Sequence, residues 1–363
     1  MSSIDEIQEL KSKLHKEVNI VHNIGSIQTI LEKNPKEHIS IAIGYRPSGR
    51  IHLGNIVSIL MSAYISKEIG IHMSSLKVTN CDLELLSVND SIQNHTQNNK
   101  TNYVKPKDIA HYFKYVIQNG ETNSMSSINS EPIKILLNDL KREKNISFQE
   151  YLLSEIQSEQ GFRKKLKRFC ERIDEVIKYF PDFRAEILKQ TQGGAYIFPI
   201  CSNCNVGNQH GSNYDNGKLK NKCPSCGKKN EFDIEDTEHE ISTNFIIDPI
   251  RDLESSASSN IHYFGGDYTE LLNNNFTKLE KIAAILNIVK DENEETPILF
   301  GGPIIYCKKQ MKMGKSINNG LEYNTIREIH GEQYLNKLWT YVQYLVQEDM
   351  HHVDFSITKN FLL

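Results

Sequence analysis

The chain has 363 residues, 38% of them hydrophobic and 24% charged, with a formal net charge of −4. That length suits one large domain with an insertion, or two modest domains. No run of about 18 uninterrupted apolar residues exists, so no membrane span is expected. The polar start, with Asp5 and Glu6, is unlike a secretory leader, and a cytoplasmic location is expected. The modest acidic balance announces no nucleic-acid partner, although it leaves room for a local basic face. The 7 cysteines are an odd number, which argues against a disulfide framework.

In chain order, residues 3–33 read as helical from the spacing of Ile7, Leu10, Leu14 and Val18, with Ser3 and Glu6 as a capping box. ISIAIGY (39–45) reads as a buried strand, RPSG (46–49) as a turn, and the segment ending at Gly70 as a helix. Strand, tight turn and helix is how a nucleotide-binding α/β unit begins. SLKVTN (75–80) suits the next parallel strand. Residues 87–130 are rich in Asn, Ser and Thr and read as long loops, and 133–191 as charged helix. Strands return at 261–266 and 297–300, with a helix at 269–289 between them and a helical tail from 323 to 350. This order predicts a parallel sheet split by a long insertion.

Three motifs carry chemistry. The first is Pro47-Ser48-Gly49-Arg50-Ile51-His52-Leu53-Gly54-Asn55, at the strand-to-helix turn. A helix N-terminus offers backbone N–H groups to an anion, and Gly49 and Gly54 would allow a nucleotide close to the backbone. Taken alone, His52 is better explained as a surface histidine of an amphipathic helix. The second is Lys312-Met313-Gly314-Lys315-Ser316, in which two lysines flank a glycine and suit triphosphate oxygens. The two motifs in this order, about 260 positions apart, make a far more specific signal than either one. The third is Cys201-x-x-Cys204 and Cys223-x-x-Cys226, separated by 18 residues. That spacing predicts a four-thiolate structural zinc site, in which four cysteines saturate the metal. Cys81, Cys170 and Cys307 read as incidental thiols, and His210 is not taken as a ligand.

The two spaced motifs are the ordered signature of class I aminoacyl-tRNA synthetases. Within that class the chain most resembles the class I lysyl-tRNA synthetases. The resemblance runs through GYRPSGRIHLGN (44–55), FPICSNC (198–204), IDPIR (247–251), FGGD (264–267) and KMGKS (312–316). It implies an α/β fold with a Rossmann-type (HUP-like) parallel sheet. The first half of the catalytic domain would end near residue 80 and an insertion would occupy 81–240, with the ribbon at 196–232. The second half would follow at 241–322 and a helical tail at 323–363. The family pattern has a small residue where Arg46 stands, and Lys and His where Gly266 and Tyr268 stand. After Ser316 only 47 residues follow, where the family places an anticodon-binding domain, so anticodon reading is not expected.

The resemblance implies activation of lysine or a related amino acid by ATP with Mg²⁺, followed by transfer to the acceptor end of a tRNA. His52, Lys312 and Lys315 would meet the phosphates. Pro47, Ser48, Gly49, Gly54, Asn55, Gly265, Asp267, Met313 and Ser316 would line the ATP site. Tyr45, Arg46, Asp82, Asp248, Arg251 and Tyr268 would neighbour the amino acid. Two alternatives stay open: transfer to a carrier protein, peptide or small molecule, and a non-catalytic RNA-binding relative. The basic run Arg163–Arg168 reads equally as an RNA contact and as a solvated helix face. The segment 333–350 is apolar enough to pack on the core or on a second subunit, the first being preferred. The oligomeric state is not written in any motif.

Overall fold

The computed structural model describes residues 20–33, 35, 37–45, 47, 51–69, 74–80, 86–87, 101–103, 112–113, 115–118, 121–124, 130–172, 197–203, 206–207, 212–223, 226–243, 259–265, 298–307 and 321–363. In chain order, strand β1 (Ile20–Val21) leads to helix α1 (Ile24–Lys33), strand β2 (Ile39–Tyr45), helix α2 (Leu53–Glu68) and strand β3 (Ser74–Asn80). Helix α3 (Glu131–Lys144), strand β4 (Phe148–Leu152) and helices α4 (Leu153–Ser158) and α5 (Gln160–Glu171) come next. The ribbon region holds β5 (Ile197–Pro199), β6 (Asn213–Asp215), β7 (Lys218–Lys222), β8 (Lys229–Asp233) and β9 (Ile241–Thr243). Strands β10 (Ile261–Phe264), β11 (Ile298–Gly301) and β12 (Ile304–Ile305) follow. The tail is α6 (Tyr323–His330), α7 (Tyr334–Gln347), β13 (His352–Val353) and α8 (Phe355–Leu362).

Six strands form one sheet in the order β1-β11-β10-β2-β3-β4. Every neighbouring pair in it is parallel. The molecule is therefore an α/β protein whose sheet draws strands from both sides of the ribbon. Strand β2 explains itself: Ile39, Ile41 and Ile43 are buried on one face, while on the other Ser40 is buried and Ala42 half-buried. Such a β-branched run suits the centre of a parallel sheet, where both faces are covered. Helix α2 is apolar on nearly every side, and eleven of its residues, from Leu53 to Ser66, are buried. A helix of that composition must be covered all round, and the tail supplies the cover. Trp339 of α7 meets Tyr64 of α2 edge-on at 5.5 Å between ring centroids. Leu335, Leu338, Val342 and Leu345 are buried in the same cluster. Each such side chain contributes about 1.5–3 kcal/mol of burial. The preferred reading of segment 333–350 thus agrees with the structure.

Three expectations are corrected. Ile20–Val21, read as helix, is a strand paired with Leu299–Phe300. Pairing with a strand 279 positions away overrides a local helical period that Val18 only suggests. Phe148–Leu152, read as helix within the insertion, is the edge strand beside β3, with Leu76 opposite Phe148. Its Gln149 and Glu150 are exposed while Phe148, Tyr151 and Leu152 are half-buried, as suits an edge strand. The segment assigned to the insertion therefore returns to the sheet before the ribbon begins. Among the described residues of 87–130, short antiparallel strands stand where loops were expected, such as Tyr115–Gln118 against Glu121–Ser124. The helix expected at 269–289 lies outside the described residues. No described helix is long and apolar enough to cross a membrane.

Candidate active site and ribbon

The strand order reverses between β2 and β10. From β2 the chain proceeds to β3 and β4 on one side, while β10 and β11 fill the other side. Such a reversal opens a crevice at the carboxyl ends of the strands, where ligands of open α/β sheets bind. Tyr45 closes β2 at that end, and Gly265 follows β10 two positions after Tyr263, which lies opposite Ile43. Pro47, His52, Gly54 and Asn55 follow directly from β2, so the first motif sits at the crevice.

His52 is the N-cap of α2, with extended backbone angles of −105° and 167°. Its Nδ1 accepts the N–H of Gly54 at 3.0 Å. In that arrangement a neutral imidazole carries its proton on Nε2, so the ring is a donor on the side away from the helix. Gly54 leaves room for the ring: a Cβ there would lie 2.8 Å from Cε1 of His52. The helix N-terminus is less open than the sequence suggests. Leu53 N–H donates to the Leu321 carbonyl at 2.8 Å, and the N–H groups of Asn55 and Ile56 both turn to the His52 carbonyl. The anion-binding capacity expected of four free N–H groups is therefore largely used within the protein. Asn55 Oδ1 is buried with no hydrogen-bond partner among the described residues. An unsatisfied buried amide oxygen suits a ligand donor.

The approach of Leu321 was not foreseen. His52 and Glu322 form an isolated antiparallel bridge, and Tyr323 N–H donates to the Ile51 carbonyl at 3.2 Å. Residues 51–53 of the first motif and the residues just after the second motif are thus joined by backbone hydrogen bonds. No periodicity or composition signal marks residues 321–323. Ser48, Gly49, Arg46, Asp82, Asp248, Arg251, Asp267, Tyr268, Lys312, Met313, Lys315 and Ser316 lie outside the described residues.

The other cluster is built of thiols. The Sγ atoms of Cys201, Cys223 and Cys226 all lie within 4.8 Å of one another, and Cys201 and Cys226 are 3.6 Å apart. Tetrahedral zinc with Zn–S bonds of about 2.3 Å holds its thiolates about 3.8 Å apart, so the donor set fits that metal. Cys204 lies outside the described residues. Gly227, at φ +76°, makes the knuckle turn that lets its N–H reach the Cys223 carbonyl at 2.9 Å. The backbone N–H of Lys228 and the side chain of Asn203 hold the Cys226 thiol down to about 6. Lys228 Nζ donates to Ser202 Oγ at 2.9 Å and so ties the two knuckles together. Buried Cys170 is pushed upward by desolvation, which suits an inert thiol, and Cys307 is buried too.

Two cations of the basic run are structural. Arg163 is fully buried in α5. It donates to the carbonyls of Gln157 at 2.5 Å, Ile234 at 3.3 Å and His239 at 2.5 Å. Burial lowers its guanidinium to about 10, against the opposing pull of Asp236. Lys167 pairs with Glu235 at 2.7 Å, while Lys164 and Arg168 remain exposed. The run fastens the ribbon to α5 with two of its cations.

The family model described as tRNA synthetases class I (K) matches residues 25–242, well over half of the chain. A comparison with curated proteins found no match. Among solved structures, the tyrosyl-tRNA synthetase of Archaeoglobus fulgidus is similar at 14% identity, covering 87% of this chain and 70% of that one, with a TM-score of 0.37. The tyrosyl-tRNA synthetase of Aeropyrum pernix is similar at 13% identity, with 89% and 71% covered and a TM-score of 0.37. The tryptophanyl-tRNA synthetase of Plasmodium falciparum is similar at 9% identity, with 99% and 86% covered and a TM-score of 0.35. These likenesses are too remote to carry weight, and the family match stands without them. With that match over the first motif, the ribbon and most of the strands between, the chain belongs to the class I tRNA synthetase family, whose members are ATP-dependent ligases.

Proposed function

We propose that this protein joins the carboxylate of lysine, or of a related amino acid, to the α-phosphate of ATP with release of pyrophosphate, and passes the aminoacyl group of the resulting adenylate to the acceptor end of a tRNA with release of AMP. The observation that carries the reading is the bridge between His52 and Glu322. It pairs Glu322, seven positions after Lys315, with the backbone of His52. Chain length alone then keeps the Lys315 backbone within roughly 25 Å of Glu322.

In this reading the Nε2–H of His52 donates to phosphate oxygen as negative charge grows there, with Lys315 and Lys312 stabilising the same charge. Gly54 and Asn55 border the adenosine, joined by Pro47, Ser48, Gly49, Gly265, Asp267, Met313 and Ser316. Tyr45, Arg46, Asp82, Asp248, Arg251 and Tyr268 border the amino acid, and Mg²⁺ accompanies ATP. Cys201, Cys204, Cys223 and Cys226 would hold one zinc ion, whose part is to close the ribbon fold.

The acceptor has a second reading, a carrier protein, peptide or small molecule. The burial of Arg163 and the pairing of Lys167 favour it, because the basic run has fewer cations to offer RNA than its sequence suggests. Pyrophosphate exchange with each proteinogenic amino acid, with and without total tRNA, tests both halves. Exchange with one amino acid supports adenylate formation, and its absence with all of them would sink it. Label carried into acid-precipitable tRNA distinguishes the acceptors.

A further inference from the structure

Residues 51–53 carry His52 at their centre and are gripped by the far end of the chain. On one side Leu321 accepts from Leu53, and on the other Tyr323 donates to Ile51. The gripping segment passes at once into α6, whose first residue, Tyr323, is buried. The Tyr323 hydroxyl donates to the Tyr334 hydroxyl at 2.9 Å, and the Tyr334 hydroxyl donates to Asp139 of α3. The other oxygen of Asp139 pairs with Arg142 at 2.6 Å. The Arg327 guanidinium lies 5.7 Å from the centre of the Tyr323 ring and 5.3 Å from that of Tyr334.

Phenylalanine at either position would fill the same space without a buried hydroxyl to satisfy. A chain of hydroxyls ending on a buried carboxylate adds direction rather than bulk, because each group has one geometry in which all are satisfied. Burial pushes the Tyr323 phenol up to about 12 and raises Tyr334 further, so both are protonated donors at neutral pH.

We propose that Tyr323 and Tyr334 are positioning residues for His52: anchored on Asp139, they fix the segment 321–323 that sets the backbone, and through it the ring, of His52. The role matters for catalysis only if His52 meets the phosphate, as proposed above, but the test reads the ring itself.

The test is ring ¹⁵N NMR of the full chain labelled at histidine, with His52 assigned by the signals lost in His52→Gln. The wild-type ring is expected with Nδ1 unprotonated and Nε2 protonated. In Tyr323→Phe and in Tyr334→Phe the Nδ1–H tautomer of His52 should rise about fivefold, the size of effect one lost hydrogen bond allows. The double variant should be no worse than either single one, since the hydroxyls act in series. Asp139→Asn keeps an acceptor for Tyr334 and should stay near wild type. An unchanged His52 pattern in both Phe variants, whether or not their melting temperatures fall, would leave the tyrosines a packing role and overturn the proposal. ATP–pyrophosphate exchange that survives His52→Gln would refute the catalytic reading instead, and leave the positioning result standing.

Discussion

The Gly54 N–H and the His52 Nδ1 are 3.0 Å apart, and the imidazole occupies the space that a side chain at position 54 would need. One glycine therefore does two things. It gives the ring a donor that selects its tautomer, and it leaves the volume the ring fills. The sequence motif keeps these residues two apart because the N-cap and the second helical residue face each other at a helix start.

Gly54→Ala separates stability from activity. Alanine in a helix is worth about 0.5–1 kcal/mol over glycine, so the melting temperature should hold or rise. The added methyl must push the His52 ring aside, because the contact at 2.8 Å is shorter than packing allows. Loss of one preorganised donor costs about 10²–10³-fold in rate, and pyrophosphate exchange should fall by that order. A variant with full exchange and a displaced ring would contradict the donor role.

Gly302→Ala should destabilise the sheet. A Cβ at 302 would lie 1.9 Å from the Tyr263 hydroxyl and 2.5 Å from its Cζ. Tyr263 is buried, with its ring on Phe300 and its hydroxyl against Met61 of α2, so an overpacking cost of about 1–3 kcal/mol or more is expected. Urea unfolding measures it. Adding Tyr263→Leu should recover part of the loss, because the two positions share one space. Strict additivity of the two changes would deny the contact.

Metal analysis of the purified chain should find one zinc per molecule. Cys223→Ser should lose it, and the melting temperature should drop with it, because metal binding and folding of such ribbons are coupled. A chelator should reproduce the drop in the wild-type protein and leave the variant unaffected. Full stability in Cys223→Ser without metal would remove zinc from the account.

Arg163→Met should cost about 3 kcal/mol or more, since three carbonyls lose a charged donor inside the protein. Arg163→Lys should recover little, because one ammonium cannot reach three divergent acceptors as a planar fork does. Arg168→Ala, at an exposed position of the same helix, should change stability by less than about 0.5 kcal/mol. Thermal unfolding of the three variants decides between a structural clamp and a solvated basic face.

Much of this molecule was legible in the residues. ISIAIGY had to be a buried strand because its apolar residues repeat and none of its seven residues is charged. The helix that follows was written in the apolar spacing that runs up to Gly70. The paired cysteines marked the ribbon, and three of their thiols do converge. Local patterns of this kind depend on periods of two or a few residues, and such periods are written in the sequence itself.

Contacts between distant segments are not written there. Arg163 has the same side chain as Arg168, yet one is walled in by carbonyls and the other is solvated. FQEYL became an edge strand because β3 offered it an unpaired edge. Leu321–Tyr323 has no motif, and its role at His52 exists only because the tail folds back over α2. The sequence by itself determined the sheet's centre, the helix capped by His52 and the cysteines that converge. The tertiary structure decided which surfaces those elements meet, because burial and backbone pairing are properties of neighbours that the chain brings together only when it closes.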